Sequence, residues 1–255
     1  MVSGDGYKMD ASKASGLCEM HKPINGGELC EFVHYMLWTS LTIPRFCERV
    51  ALLQQVLEAA YKKVGKHTKR AIKNMPFSEM PWGMAHNKAF NDLQDSLRNA
   101  VKLSYRHPDE TICVHTDASE RDWAGIVIQI DHSKLEKKPH DQRHQPLGFV
   151  GGELTKAEVN WGTFEKEGCA IFKTFEKLEY LLLGEQPVHV FTDHRNLLYV
   201  FAPCALVRTS AHHVVSKFQR CAMYLSRFDY VIEHIDRTAN VFAHLLTRWG
   251  TAYRV

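Results

Sequence analysis

The sequence has no apolar run of the roughly 18 residues that a membrane span needs, so we expect no membrane partner. Its beginning lacks the basic and apolar regions of a signal peptide, which predicts an intracellular protein of the cytoplasm or nucleus. Internal repeats and low-complexity tracts are also missing, and their absence excludes fibrous and disordered classes.

Cysteine content and net charge are both low. Seven cysteines, an odd number scattered over 255 residues, favour reduced thiols over a disulfide framework. The formal net charge is only +3, with fifteen histidines able to raise it, so the charge permits nucleic-acid binding without requiring it. With 45% hydrophobic and 24% charged residues, the chain is typical of a globular protein with one large or two small domains.

The residue pattern changes near Pro108, and we therefore predict two domains, 1–108 and 109–255. The first is mainly helical, with helices predicted over 28–38, 43–64 and 87–103. The second alternates strands and helices. Its strands are predicted over 112–116, 123–130, 146–153, 188–192 and 228–235, and its helices over 155–183, 196–201, 210–227 and 239–249. This order implies an α/β fold with a mixed five-stranded sheet and flanking helices.

Three acidic residues of the second domain fall where they can meet. Asp117 and Asp193 each end a predicted strand, and the ends of neighbouring strands can bring such acids together. Glu167 lies on the edge of the apolar face of the helix predicted over 155–183, whereas Glu165 points away from that face. Alone, each strand-end aspartate has the ordinary alternative of capping a turn or a helix.

Inward-facing acids without an obvious basic partner predict a cation site, because an unpaired charge aimed at a core is costly. Mg²⁺ prefers carboxylates together with water and substrate phosphate. Two such ions about 4 Å apart can activate water and stabilise the leaving oxygen of a phosphodiester displacement. The three acids together therefore indicate metal-dependent phosphodiester chemistry.

Three motifs carry a resemblance to a known family: TDAS at 116–119, NW at 160–161 followed by EKE at 165–167, and TDHRNL at 192–197. Their order and spacing resemble the RNase H domain of Ty3/gypsy-type LTR retrotransposon polyproteins over residues 109–250. Residues 76–103 look like the thumb and connection segment that precedes RNase H in those polyproteins. The chain thus resembles the rear of a larger polyprotein or a gene derived from one, and its oligomeric state stays open.

The resemblance implies an RNase H-like fold that cleaves the RNA strand of RNA–DNA hybrids with two ions of Mg²⁺ or Mn²⁺. It implies that Asp117, Glu167 and Asp193 are catalytic metal ligands. Polymerase activity is not expected, because reverse transcriptases need paired aspartates in their palm and this chain has no two adjacent aspartates.

The end of the chain departs from the family pattern. His244 stands where the family has the acid that completes the metal site, and Arg237 stands where a turn glycine is usual. We expect His244 to act as the fourth catalytic metal ligand, although imidazole suits Zn²⁺ or Mn²⁺ better than Mg²⁺. The substitution removes one negative charge and lowers the expected affinity for the second ion.

Further residues are expected to serve the substrate. His194, Arg195 and Asn196 follow a metal-ligand aspartate and are placed to touch phosphates or 2′-hydroxyls, and Asn240 is another candidate. His234 precedes the closing helix, where cellular RNases H carry a histidine implicated in proton transfer, although a histidine at a strand end is more often a surface residue.

Three alternatives follow for the function. The first is an active RNase H. The second is a catalytically weakened module that binds nucleic acid or protein, for which His244 and Arg237 are the indications. The third is another nuclease of the same broad fold, such as an integrase-like or resolvase-like enzyme, which the EKE motif at 165–167 disfavours.

Overall fold

A computed structural model of the protein describes residues 2–3, 6–7, 18–43, 46–100, 102–135, 137, 144–201 and 212–236. The chain divides into two units, Met1–Lys102 and Leu103–Val255. The division lies before the predicted boundary at residue 108, because residues 103–108 pack with the second unit. For example, the Ser104 N–H donates to the Pro146 carbonyl at 2.8 Å. Of the helices in these described ranges, none is long and apolar enough to span a bilayer.

The first unit is mainly helical. Its elements are β1 (Val2–Ser3), β2 (Gly6–Tyr7), α1 (Gly26–Trp38), α2 (Phe46–Val64), α3 (Lys69–Ile72) and α4 (Met84–Arg98). Helix α1 begins after Asn25, whose Oδ1 accepts the Glu28 N–H at 2.9 Å. The core of the unit contains fully buried aromatic and aliphatic side chains, including Phe32, which contacts Phe90 at a ring distance of 4.4 Å.

The prediction that the last helix of this unit continues to Leu103 was wrong. Helix α4 ends at Arg98. Asn99 is the physical reason, because its side-chain Nδ2 donates to the Asp95 carbonyl at 2.9 Å while its own N–H also points to that carbonyl. The side chain thereby occupies an acceptor of the last turn, as is typical of asparagine at helix ends.

The second unit contains the predicted mixed sheet. Its elements are β3 (Glu110–Ala118), β4 (Asp122–Asp131), β5 (Gln145–Glu153), α5 (Thr163–Lys177), α6 (Glu179–Leu182), β6 (Val188–Thr192), α7 (Arg195–Phe201), α8 (His212–Leu225) and β7 (Tyr230–His234). The strand order is β5-β4-β3-β6-β7. β4 pairs antiparallel with β3 and β5, whereas β6 pairs parallel with β3 and β7. The helix predicted over 239–249 lies outside the described residues.

The long helix predicted over 155–183 was wrong as a single element. A short 3₁₀ turn precedes α5, and α5 is separated from α6 at Leu178, where φ is −115° and ψ is 23°. Leu178 is fully buried next to Gly148 of β5. The break turns both Leu178 and Leu182 into the core, and this tertiary burial outweighs the helix propensity of the local sequence.

Helix α5 lies unusually close to the sheet. A Cβ atom on Gly125 of β4 would lie 2.1 Å from Oγ1 of Thr174, so only glycine fits opposite this helix residue. The buried Thr174 hydroxyl is satisfied because it donates to the Ala170 carbonyl at 2.7 Å. This contact anchors α5 and positions Glu167, two helical turns earlier, near the end of β3.

Candidate active site

Asp117 and Asp193 meet at one edge of the sheet because β3 and β6 are parallel neighbours, with His115 in register with Phe191. Asp117 is buried near the end of β3, and the half-buried Asp193 directly follows β6. The turn after β3 is fixed by Ser119, whose N–H donates to the Asp122 carbonyl at 2.8 Å. The local structure therefore holds the two aspartates as the sequence analysis expected.

Glu167 reaches this edge from helix α5. Its side chain is only 3% exposed, and its Oε1 accepts the Ala118 N–H at 3.1 Å. Its carboxyl group also forms a side-chain hydrogen bond with that of Asp117. Burial, followed by the charges of Asp117 and Asp193, raises the pKa of Glu167 to about 9, although the hydrogen bond from Ala118 opposes this rise.

A group of possible ligand atoms forms around these acids. One carboxylate oxygen each of Glu167 and Asp193 and one ring nitrogen of His194 all lie within 4.8 Å of one another. Asp117 joins this group through its hydrogen bond to Glu167. The structure thus brings the three predicted acids together and adds His194, which the sequence analysis had assigned to substrate contact.

Lys166 is a site residue that sequence reasoning missed. It is only 8% exposed, and its Nζ donates to the Glu120 carbonyl at 2.7 Å, which ties the turn after β3 to α5. A weak signal was present, since Lys166 lies four and eight residues before Ala170 and Thr174, on one buried face of the helix. Because alanine and threonine are small or polar, that face is not conspicuous in the sequence.

Glu165 has a different task from Glu167. Its Oε2 accepts the Gly162 N–H at 2.9 Å, which caps the start of α5. The acid that the sequence analysis placed away from the apolar face therefore stabilises the helix end and is not part of the ligand group in the described residues.

The other predicted site residues are not part of the ligand group formed by Glu167, Asp193 and His194 in the described residues. Arg195 and Asn196 are exposed immediately after His194. His234 ends β7 in register with Thr192 and is half-buried rather than a surface residue, but it is not in the ligand group. Three further residues lie outside the described residues: Arg237, Asn240 and His244.

Comparisons with known proteins agree with this architecture. The family model for the RNase H-like domain found in reverse transcriptase matches residues 107–228. The chain is 28% identical over 252 residues to the retrovirus-related Pol polyprotein from transposon opus of Drosophila melanogaster, covering 97% of this chain and 22% of that protein. It is 26% identical over 169 residues to the enzymatic polyprotein of Carnation etched ring virus, covering 66% and 24% respectively.

Solved structures support the fold. The foamy viral protease-reverse transcriptase solved in complex with double-stranded DNA matches 90% of this chain and 35% of its own, with a TM-score of 0.66 and 15% identity. The chain spans less than a quarter of the length of the two curated relatives above. Residues 107–228 thus match the RNase H-like domain found in reverse transcriptase, and the chain is similar to the Pol polyproteins of transposons.

Proposed function

We propose that the second unit hydrolyses the RNA strand of RNA–DNA hybrids and that Asp117, Glu167 and Asp193 hold two divalent ions, Mg²⁺ or Mn²⁺, with His244 as a fourth ligand. The observation that carries the proposal is the meeting of three acids from β3, α5 and the end of β6 around one buried carboxyl group. The family match is consistent with this chemistry.

The donor set fits a hard divalent cation. Carboxylate oxygens are the preferred ligands of Mg²⁺, and a cation here would offset the charges that raise the pKa of Glu167. Nζ of the neighbouring Lys166 donates to the Glu120 carbonyl, and Lys166 is not among the groups that shift the pKa of Glu167. When bound, two ions supply an activated water and stabilise the leaving oxygen of the phosphodiester.

The chain's own residues orient this chemistry. The Ala118 N–H fixes one oxygen of Glu167, and the pairing of Asp117 with Ala124 of β4 holds Asp117 in place. Arg195 and Asn196, exposed beside Asp193, are available to contact phosphates and 2′-hydroxyls across the minor groove of a hybrid. The fold relative, foamy viral protease-reverse transcriptase, has also been solved in complex with RNA/DNA hybrid, which supports this substrate class.

The test is cleavage of a labelled RNA–DNA hybrid by the purified full chain in Mg²⁺ and, separately, in Mn²⁺. We expect RNA-strand cleavage that Asp117→Asn abolishes. Cleavage that survives Asp117→Asn would place the activity elsewhere and refute the proposal.

His244 favours a second candidate, a module that binds nucleic acid without cutting it, because histidine replaces the fourth acid. His244→Asp separates the two. If the natural chain does not cleave hybrids but His244→Asp does, the second unit is a silenced nuclease whose role is binding.

A further inference from the structure

We infer that the imidazole of His194 is itself a ligand of the divalent ion, an inference that rests on the proposed function. His194 then joins Glu167 and Asp193 in a mixed set of oxygen and nitrogen donors. The position of His194 supports this role, because one of its ring nitrogens lies within 4.8 Å of a carboxylate oxygen of Glu167 and of Asp193.

The distances suit a shared ion after a small adjustment. Donor atoms about 2.1–2.2 Å from one metal lie at most about 4.4 Å apart. The ligand atoms lie within 4.8 Å of one another, so the side chains need to close by a few tenths of an ångström at most. Rotation of exposed or half-buried side chains supplies such a movement, and Asp193 and His194 are both half-buried.

The backbone explains why consecutive residues reach the same site. In a continuing strand, successive side chains point to opposite faces. Here β6 ends at Thr192. The Thr192 Oγ1 accepts the His194 N–H at 3.2 Å, and the His194 carbonyl accepts the Leu197 N–H at 2.9 Å. These two hydrogen bonds fix a turn after the strand, so the alternation of the strand does not continue. The side chains of both Asp193 and His194 therefore reach Glu167.

Burial separates His194 from the residues that follow it. His194 is half-buried, whereas Arg195 and Asn196 are exposed and face solvent, where a nucleic acid would lie. The TDHRNL motif at 192–197 therefore divides into a metal-binding part, Asp193 and His194, and a part available to the substrate.

An imidazole ligand changes the expected metal preference. Nitrogen donors suit Mn²⁺ and Zn²⁺ better than Mg²⁺. We therefore expect His194→Gln to weaken Mn²⁺ binding about tenfold or more and Mg²⁺ binding less. The preference for Mn²⁺, which is the dissociation constant for Mg²⁺ divided by that for Mn²⁺, should therefore fall.

The decisive experiment is pulsed electron paramagnetic resonance of Mn²⁺ bound to the full chain, which detects ¹⁴N of a coordinated imidazole. The chain carries His244→Asp, so that the imidazole of His244 contributes nothing. We expect a ¹⁴N signal that His194→Gln removes and that the matched control His234→Gln retains. His194→Asp supplies a second variant, because it keeps a donor atom and should bind Mn²⁺ without the ¹⁴N signal.

The outcomes separate the two proposals. If Glu167→Gln does not weaken Mn²⁺ binding, the ion lies elsewhere and the proposed function fails along with this inference. If Mn²⁺ binding depends on Glu167 but shows no ¹⁴N signal, or if the signal persists in His194→Gln, the metal site stands and His194 is not its ligand.

Discussion

The two units bury polar side chains in different ways. In the described part of the first unit, the buried polar side chains are Thr39, Thr42 and Gln94, and each is neutral and donates to a main-chain carbonyl at 2.8–2.9 Å. The second unit buries charged groups, among them Asp117, Glu167, Lys166 and Asp122. Neutral, satisfied groups cost little, whereas clustered like charges are unfavourable without a counter-ion.

The difference teaches where stability and function reside. The first unit is built for packing, because its buried polar groups serve its own backbone. The second gives up stability at one edge of the sheet, where three acids from separate elements meet. A buried carboxyl group with a raised pKa and two further acids beside it is typical of a functional site.

Removal of a core ring should give the largest loss of stability and should do so in the first unit. Phe32 is fully buried against Phe90, so we expect Phe32→Ala to cost about 3–5 kcal/mol. Urea unfolding followed by circular dichroism measures this. Phe32→Leu should cost less because it keeps part of the buried volume, and equal losses from both variants would contradict the packing argument.

Buried and exposed lysines offer a sharper comparison. Lys166→Met removes the charged hydrogen bond from the buried Lys166 to the Glu120 carbonyl and should cost about 1.5–3 kcal/mol, with a parallel loss of hybrid cleavage. The matched control Lys63→Met breaks an exposed pair with Glu79 at 2.7 Å and should cost less than about 1 kcal/mol. If Lys166→Met and Lys63→Met lowered the free energy of unfolding equally in thermal melting, the distinction between the buried and the exposed lysine would be wrong.

Charge removal should stabilise the metal-free second unit. Asp117→Asn eliminates one of the charges that bear on Glu167, so we expect a gain of about 1–2 kcal/mol in the presence of EDTA. Addition of Mn²⁺ should stabilise the natural chain more than the variant, because binding to the folded state adds to its stability. Thermal melting with and without the ion provides the measurement, and destabilisation of the variant in EDTA would argue against repulsion among the acids.

The smallest effect is expected at Glu165. Since its carboxylate caps α5 at Gly162, Glu165→Ala should cost about 0.5–1 kcal/mol and leave hybrid cleavage unchanged. Glu167→Gln, two positions away, should abolish cleavage while retaining the fold. If Glu165→Ala also abolished cleavage, the assignment of the two acids to separate tasks would be wrong.

Much of the second unit could be predicted from local patterns. Strand β6 has the predicted bounds because Val188 and Val190 form a short buried apolar run after a turn. The meeting of Asp117 and Asp193 followed from two acids at the ends of adjacent strands.

Other features depend on contacts between distant residues. The break at Leu178 could not be predicted because Lys177 and Glu179 are both good helix formers, and only burial against β5 decides against continuity. His194 joins the acids through the turn after Thr192, a geometry that the residue types alone do not specify. Helix α4 ends early for a local reason, Asn99, which the apolar pattern concealed.

The parallel pairing of β3 with β6 has a consequence for folding kinetics. Cys113 pairs with His189, and β4, β5 and α5 all lie between these two strands along the chain. Pairings of high sequence separation form late because they carry a large loop-closure entropy. Asp117 and Asp193 therefore meet only near the end of folding, and we expect a newly made chain to acquire affinity for divalent ions in one late step.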